Sequence, residues 1–133
     1  MTPDSSAIIA AFAPWHPLHD QARLALRGVE DLIAHAELET YSTLTRLPAP
    51  FRVGPTLAAE YLRRRHSGER LVLPARERSA FADRLAHAGL AGGRVYDALI
   101  AATADHHDRV LISCDRRAVA VYERLGARID LLA

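Results

Sequence analysis

The apolar residues of this chain recur either at the three-to-four-residue spacing of amphipathic helices or in the short continuous runs of buried strands. The helical spacing occurs in SSAIIAAF, HPLHDQARLALRG, AELETYSTLTRL, GPTLAAEYLRRRHSG, RERSAFADRLAHAG, GGRVYDALIAATADHH and RRAVAVYERLG. The strand-like runs are a piece around Leu32 and Ile33, then RLVLP, RVLIS and ARIDLL. The pattern therefore predicts helices and strands that alternate along the chain.

The predicted helices begin and end at residues that suit helix termini. Ser5 or Ser6 can cap the first helix, which follows Asp4. Pro55 lies near the first turn of the fourth helix and Gly68 follows its end, the usual asymmetry. Because strands separated by helices need crossover connections, the sheet should be mostly parallel and covered on both faces. The predicted fold class is therefore α/β, a three-layer α/β/α sandwich with a central, mostly parallel sheet.

Length and composition favour a single domain over residues 1–133, half of them apolar. The first residues do not resemble a signal peptide, and no apolar run approaches the roughly 18 residues needed to cross a membrane. The single cysteine, Cys114, lies in the apolar run LISC, which suits a small buried side chain in a reducing compartment. We therefore expect a cytoplasmic protein with no membrane partner.

The formal net charge at pH 7 is +1, close to neutral. All the positively charged side chains that contribute to it are arginines, and the chain has no lysine. Arginine suits phosphate and carboxylate groups because its planar fork can donate two parallel hydrogen bonds. A chain rich in alanine and arginine can equally reflect a GC-rich genome. Charge alone therefore leaves open whether particular arginines contact phosphate.

Acidic residues stand beside apolar sequence in several separate elements. Asp115 directly follows the strand RVLIS, at the carboxyl end of the sheet, where ligands gather in open parallel sheets. Asp97 lies in the first turn of a helix that is apolar nearly all round, where an unpartnered charge is costly. Asp4 precedes the first helix, and Glu39 lies in ELETYSTLTRL. These acids come from different elements and could converge on one point.

Each acid also has a purely structural explanation. Asp4 and Asp115 suit the N-cap positions of the helices that follow them, and Asp97 suits the positive end of its helix dipole. Glu39 could pair with Arg46, which lies two turns further along the same face of the helix. If the acids instead converge, their repulsion requires a positive partner, and Mg²⁺ or Mn²⁺ is the simplest one. Such a site offers phosphodiester hydrolysis.

Several stretches, in order and over nearly the whole chain, resemble the PIN domain family and, within it, the VapC toxins of bacterial toxin–antitoxin pairs. These stretches are DSSAIIAAF, HPLHDQA, ETYSTLTRLP, GGRVYDALIAATA and VLISCDRRAVAVYERLG. The resemblance implies a parallel sheet flanked by helices, an acidic pocket that binds Mg²⁺ or Mn²⁺, and ribonuclease activity. It also implies an RNA substrate, a cognate VapB-like antitoxin and a homodimer.

The resemblance assigns roles to individual residues. The family's acids fall on Asp4, Glu39, Asp97 and Asp115, which would be both catalytic and metal-binding. The family's small hydroxyl residues correspond to Ser6 and Ser113, which would orient a carboxylate or a coordinated water.

Three arginines near these acids are the candidates for holding the RNA backbone. They are Arg46, Arg116 and Arg117, and Arg46 could instead neutralise Glu39. The apolar TLAAEYL face and the PAPF loop could contact an antitoxin or a second copy, or belong to the core. His16 and His19 are spaced as a metal pair, but no further ligands match and Pro17 separates them, so we expect a helix start.

Two features depart from the usual pattern of the family. Only Met1, Thr2 and Pro3 precede Asp4, so either the first strand is a stub or the true start lies upstream. Glu37 competes with Glu39, and because two helical residues are about 200° apart, only one can face the pocket. The alternatives to a ribonuclease are a non-catalytic PIN-like module that binds protein or RNA, and a DNA-directed nuclease.

Overall fold

A computed structural model describes residues 1–133 and shows five short strands and eight helices. The strands are β1 (Thr2–Pro3), β2 (Leu32–Ile33), β3 (Arg70–Leu71), β4 (Leu111–Ser113) and β5 (Ile129–Leu131). The helices are α1 (Ser5–Phe12), α2 (His19–Ala25), α3 (Ala34–Thr45), α4 (Pro55–Arg65), α5 (Ala75–Ser79), α6 (Phe81–His87), α7 (Arg94–His106) and α8 (Arg116–Arg124). The predicted alternation is confirmed.

Every strand pair in the protein is parallel. One sheet has the order β1-β4-β5, with Thr2 opposite Leu111 and Leu111 opposite Ile129. Strands β2 and β3 form a second parallel pair. The Thr2 Oγ1 donates to the carbonyl oxygen of Asp31, 3.4 Å away, so the β2-β3 pair lies alongside β1. The parallel sheet that the crossover argument predicts is therefore present.

Helices cover both faces of this sheet. Leu111 belongs to the larger hydrophobic core, which includes side chains of α3, α7 and α8. Its neighbour Ile112 belongs to a separate core formed with α1 and α2. Because successive side chains of a strand point to opposite faces, these two residues mark the two sides of the sheet. The three-layer α/β/α architecture follows from this division.

The first strand has two residues, yet it places Asp4. The Thr2 N–H donates to the Val110 carbonyl and the Asp4 N–H donates to the Ile112 carbonyl, both at 2.9 Å. These bonds dock the chain against β4 on either side of Pro3, which has no N–H of its own. Asp4 therefore sits at the carboxyl end of β1.

Two local predictions were wrong. The cap of α1 is Asp4, which the structural explanation of that acid had offered, and not Ser5 or Ser6: its Oδ1 accepts from the Ala7 N–H while Ser5 already belongs to the helix. The stretch RERSAFADRLAHAG forms two helices, with a break at Ala80. The Ser79 hydroxyl donates back to the Ala75 carbonyl at 2.9 Å, and the break turns Phe81 into the core from an otherwise exposed segment.

No helix combines the length and the apolar character that crossing a bilayer requires.

Candidate active site

Asp4 is the most buried acid of the molecule, with 2% of its surface exposed. It accepts four hydrogen bonds, two on each carboxylate oxygen. Oδ1 accepts from the Ala7 N–H at 3.0 Å and from the Ser6 Oγ at 2.6 Å. Oδ2 accepts from the Ser113 Oγ at 2.5 Å and from the Tyr122 OH at 2.8 Å. A carboxylate has about four lone-pair positions, so these bonds saturate it and fix its orientation.

Burial raises the pKa of Asp4, and the hydrogen bonds from Ser113, Ser6, Ala7 and Tyr122 oppose that rise. The net rise shows that desolvation outweighs the donors.

The turn between β4 and α8 is tied to the same network. The Cys114 N–H donates to the Ser6 Oγ at 2.8 Å, and the Asp115 N–H donates to the Ser113 Oγ at 3.0 Å. Asp115 caps α8, because its Oδ1 accepts from the Arg117 N–H at 2.9 Å. The two serines assigned by the resemblance therefore contact Asp4 and hold the turn that carries Asp115.

The remaining two acids reach this point from α3 and α7. Burial raises the pKa of Glu39 to about 7, with further rises from the charges of Asp97 and Asp4. Burial likewise raises the pKa of Asp97, with further rises from Asp115 and Asp4. These couplings show that the structure brings Asp4, Glu39, Asp97 and Asp115 within electrostatic reach of one another, at the carboxyl ends of the strands.

No arginine neutralises this acidic group. None of the six ion pairs includes Asp4, Asp97 or Asp115. The expected alternative pair of Glu39 with Arg46 is absent; the basic atom beside Glu39 is His35 Nε2, 3.6 Å from Oε2. Burial, and secondarily the charge of Arg78, lowers the pKa of His35, which keeps that imidazole largely neutral at pH 7.

Glu37 lies on the other side of α3 and has a different partner. Its Oε2 forms an ion pair with the Arg70 Nη2 at 2.6 Å and accepts from the Arg70 Nε at 2.8 Å. Both contacts are to one carboxylate oxygen of Glu37, and they leave Glu39 as the α3 acid whose pKa the charges of Asp97 and Asp4 raise.

The donor set fits a hard divalent cation in its chemistry, since it offers carboxylate oxygens that raise one another's pKa and lack a basic partner. The side chains do not form a complete metal site, because no three acids, histidines or cysteines lie close enough together to coordinate one ion. For Asp4, direct coordination would require one of its four hydrogen bonds to break. Glu39, Asp97 and Asp115 are only partly buried and have freedom to turn.

The three arginines expected to hold RNA are all exposed. Arg46 lines a groove of about 380 Å³ beside Glu39, whereas Arg116 and Arg117 lie in the first turn of α8, next to Asp115. Sequence reasoning did not single out Tyr122, because a tyrosine on the apolar face of a helix reads as core. Its phenol is buried and donates to Asp4 across 118 positions of sequence.

The two histidines of the WHPLH stretch, at the start of α2, form hydrogen bonds with nearby backbone groups, in agreement with the helix-start interpretation. The Leu18 N–H donates to His16 Nδ1 at 3.0 Å, and His19 Nδ1 bonds with the Ala10 carbonyl at 2.8 Å.

The largest cavity of the protein, about 760 Å³, lies elsewhere, between α2 and α4. Its lining includes Arg23, Arg27 and Arg65 but none of the four acids. We place the candidate site at the acids, because reactive chemistry follows the titratable groups with perturbed pKa rather than the largest volume.

Known proteins resemble this chain over almost its whole length. Residues 1–124 match the PIN domain family. The protein named Ribonuclease VapC40 of Mycobacterium tuberculosis is 42% identical over 132 residues, which cover 99% of this chain and 98% of that protein. Ribonuclease VapC27 of the same species is 40% identical over 102 residues, which cover 77% of this chain and 74% of that protein.

Proposed function

Because the chain belongs to the PIN domain family, we propose that it is a Mg²⁺- or Mn²⁺-dependent endoribonuclease and the toxin of a VapBC-type toxin–antitoxin pair. The observation that carries the proposal is the convergence of Asp4, Glu39, Asp97 and Asp115 from four elements without a basic partner strong enough to neutralise them. The names of two relatives support RNA as the substrate.

In this proposal the four acids would hold one or two ions. A bound Mg²⁺ or Mn²⁺ lowers the pKa of water and stabilises negative charge on phosphate oxygens. Asp97 has carboxylate oxygens free of protein hydrogen-bond donors, while Asp115 and Glu39 reach the same place from the turn after β4 and from α3. No side chain needs to act as the general base.

The hydroxyl groups have a positioning role. Ser6 and Ser113 each donate to Asp4 and accept a backbone N–H from the β4–α8 turn. They therefore couple the orientation of Asp4 to that of Asp115, in the way that outer-sphere groups align ligands. Arg46, Arg116 and Arg117 would contact the RNA backbone at the edge of the site.

The partners belong to the proposal as well. We expect a cognate VapB-like antitoxin that covers the site, a homodimer, and a cytoplasmic location where RNA is available. In the TLAAEYL stretch, Leu57 is 57% exposed while Ala58 and Leu62 are buried, so this helix both joins the core and offers an apolar outer surface.

A cleavage assay on the purified chain, free of any partner, tests the proposal. Single-stranded RNA should be cut with Mn²⁺, protected by EDTA, and cut at least about 100-fold more slowly by Asp97→Asn. Glu37→Gln is the matched control, since it removes an acid of α3 that pairs with Arg70. Single-stranded DNA in a parallel reaction tests the DNA-directed alternative. Cleavage that survives both EDTA and Asp97→Asn contradicts the mechanism.

A non-catalytic PIN-like module is the second candidate, and the saturated hydrogen bonding of Asp4 favours it. Calorimetric titration with Mn²⁺ separates the two. A nuclease site binds the ion and loses it in Asp97→Asn and Asp115→Asn, whereas a module without a metal role gives no heat in any variant.

A further inference from the structure

Tyr96 presents an aromatic ring to solvent beside the acidic group. It directly precedes Asp97 on α7 and has 52% of its surface exposed. Its ring is nearly parallel to the ring of His35 on α3, with an interplanar angle of 8° and 5.3 Å between centroids. The exposed part of this ring contributes nothing to the core, so burial does not explain its presence there.

The His35 ring covers one face of Tyr96 and lies beside an acid of the site. The side chain of His35 is 24% exposed, and its Nε2 is buried without a hydrogen-bond partner, 3.6 Å from Glu39 Oε2. The imidazole is therefore positioned by packing against Tyr96. A flat group that extended the stack would lie on the face of Tyr96 opposite His35, on the residue that directly precedes Asp97 and that lines the same groove as Glu39.

The grooves on either side of Tyr96 carry complementary chemistry. On one side, the groove of about 380 Å³ offers the hydroxyls of Ser42 and Thr43 and the guanidinium of Arg46. On the other, a groove of about 240 Å³ is lined mostly by apolar side chains together with Arg78. Neither Arg46 nor Arg78 forms an ion pair within the protein.

We propose that Tyr96 is a base-binding residue, on which an unpaired base of the RNA next to the scissile phosphate stacks while Arg46 and Arg78 hold the flanking phosphates. This inference rests on the proposed ribonuclease function. An exposed aromatic ring between free arginines is how proteins bind single-stranded nucleic acid, because every base offers a π-face and every nucleotide a phosphate. A base inside a duplex has both faces covered, so the substrate is single-stranded or looped.

Steady-state cleavage of a short single-stranded RNA with Mn²⁺ tests this role. Tyr96→Ala should raise KM about tenfold with little change in kcat, and Tyr96→Phe, which keeps the ring, should remain within about twofold of wild type. Trp15→Ala is the matched control, because Trp15 is 49% exposed and packs against Phe51, with 4.9 Å between ring centroids, in a different part of the chain. Thermal unfolding curves verify that each variant is folded.

Abasic substrates provide a second measurement. One abasic nucleotide is placed in turn at each position around the cleavage site. At the position that Tyr96 binds, wild type should lose about tenfold in kcat/KM, and Tyr96→Ala should lose nothing further.

The outcomes separate this inference from the proposed function. If wild type cleaves RNA but KM is unchanged in Tyr96→Ala, the base-binding role is overturned and the ribonuclease stands; Tyr96 is then a surface for a protein partner. If wild type cleaves no RNA with Mn²⁺, the ribonuclease is overturned and the base-binding role with it.

Discussion

Among single residues, the acids of the site differ in how they are stabilised. Asp4 is desolvated but surrounded by four donors, whereas Glu39 has one weak neighbour, a His35 nitrogen at 3.6 Å, and two acids that repel it. Burial and like charges therefore act on Glu39 with little compensation. Its pKa of about 7 means that the charge of Glu39 changes in the neutral range.

The raised pKa of Glu39 predicts a pH-dependent gain of stability in Glu39→Gln. A carboxyl with a raised pKa in the folded protein contributes stability fully below its unfolded value, 4.5, and loses it as pH rises through about 7. In EDTA at pH 8, Glu39→Gln should therefore be more stable than wild type, on the order of 1 kcal/mol once solvent screening is allowed for, or about 3 °C in Tm. Near pH 4.5 the two should unfold at the same temperature.

Glu37→Gln serves as the control for that measurement. It changes the same type of residue on the same helix but removes an ion pair with Arg70. It should give no gain of stability at pH 8. An equal gain in both variants would show that the effect comes from helix charge and not from the acidic group.

At the scale of elements, Asp115 both caps a helix and belongs to the acidic group. It caps α8 through the Arg117 N–H, which is the structural explanation considered from the sequence alone. The same carboxylate raises the pKa of Asp97, so it also belongs to the acidic group. Asp4 shows the same combination at the start of α1. A helix N-terminus holds a carboxylate at a defined place, so capping and ligand binding are compatible.

Paired substitutions at Asp115 should separate the two roles. Asp115→Ser keeps an N-cap oxygen and should stay within about 0.5 kcal/mol of wild type in urea denaturation, whereas Asp115→Ala should lose about 1 kcal/mol. Both should lose RNA cleavage by about 100-fold or more, because both remove the charge. Cleavage that follows stability, being kept in the serine variant and lost in the alanine variant, would reduce Asp115 to a cap.

In the whole molecule, the acidic group joins elements that are distant in sequence. The acids lie at the start of α1, on α3, on α7 and in the turn after β4, around the carboxyl ends of the parallel strands. Their mutual repulsion opposes the packing of these elements, and a bound cation would reverse that opposition. The overall stability of the fold should therefore depend on divalent ions.

Thermal unfolding with added Mn²⁺ measures this dependence. An ion at 100 times its Kd that binds only the folded chain stabilises it by about 2.7 kcal/mol, which corresponds to a rise in Tm of several degrees. The rise should be absent in Asp97→Asn and should vanish on addition of excess EDTA. The same rise in wild type and in Asp97→Asn would place the ion elsewhere on the surface.

The larger features of the fold could be predicted because they depend on local patterns. The alternation of helices and strands and the parallel sheet follow from residue spacing, and the start of α4 at Pro55 follows from residue type. The split between α5 and α6 could not be predicted, since it depends on how Phe81 packs in the hydrophobic core. A helical pattern says which face is apolar but not whether one straight helix can bury all of it.

The sequence by itself determined which acids were available, the elements that carry them, and the rule that only one of Glu37 and Glu39 faces the site. The tertiary structure decided which one it is, gave Glu39 the neighbour His35 instead of Arg46, and brought the hydroxyls of Ser113 and Tyr122 to Asp4. The reason is separation along the chain. Periodicity reports on neighbours within a few residues, whereas Ser113 and Tyr122 come from 109 and 118 positions away and reach Asp4 only when the chain is folded.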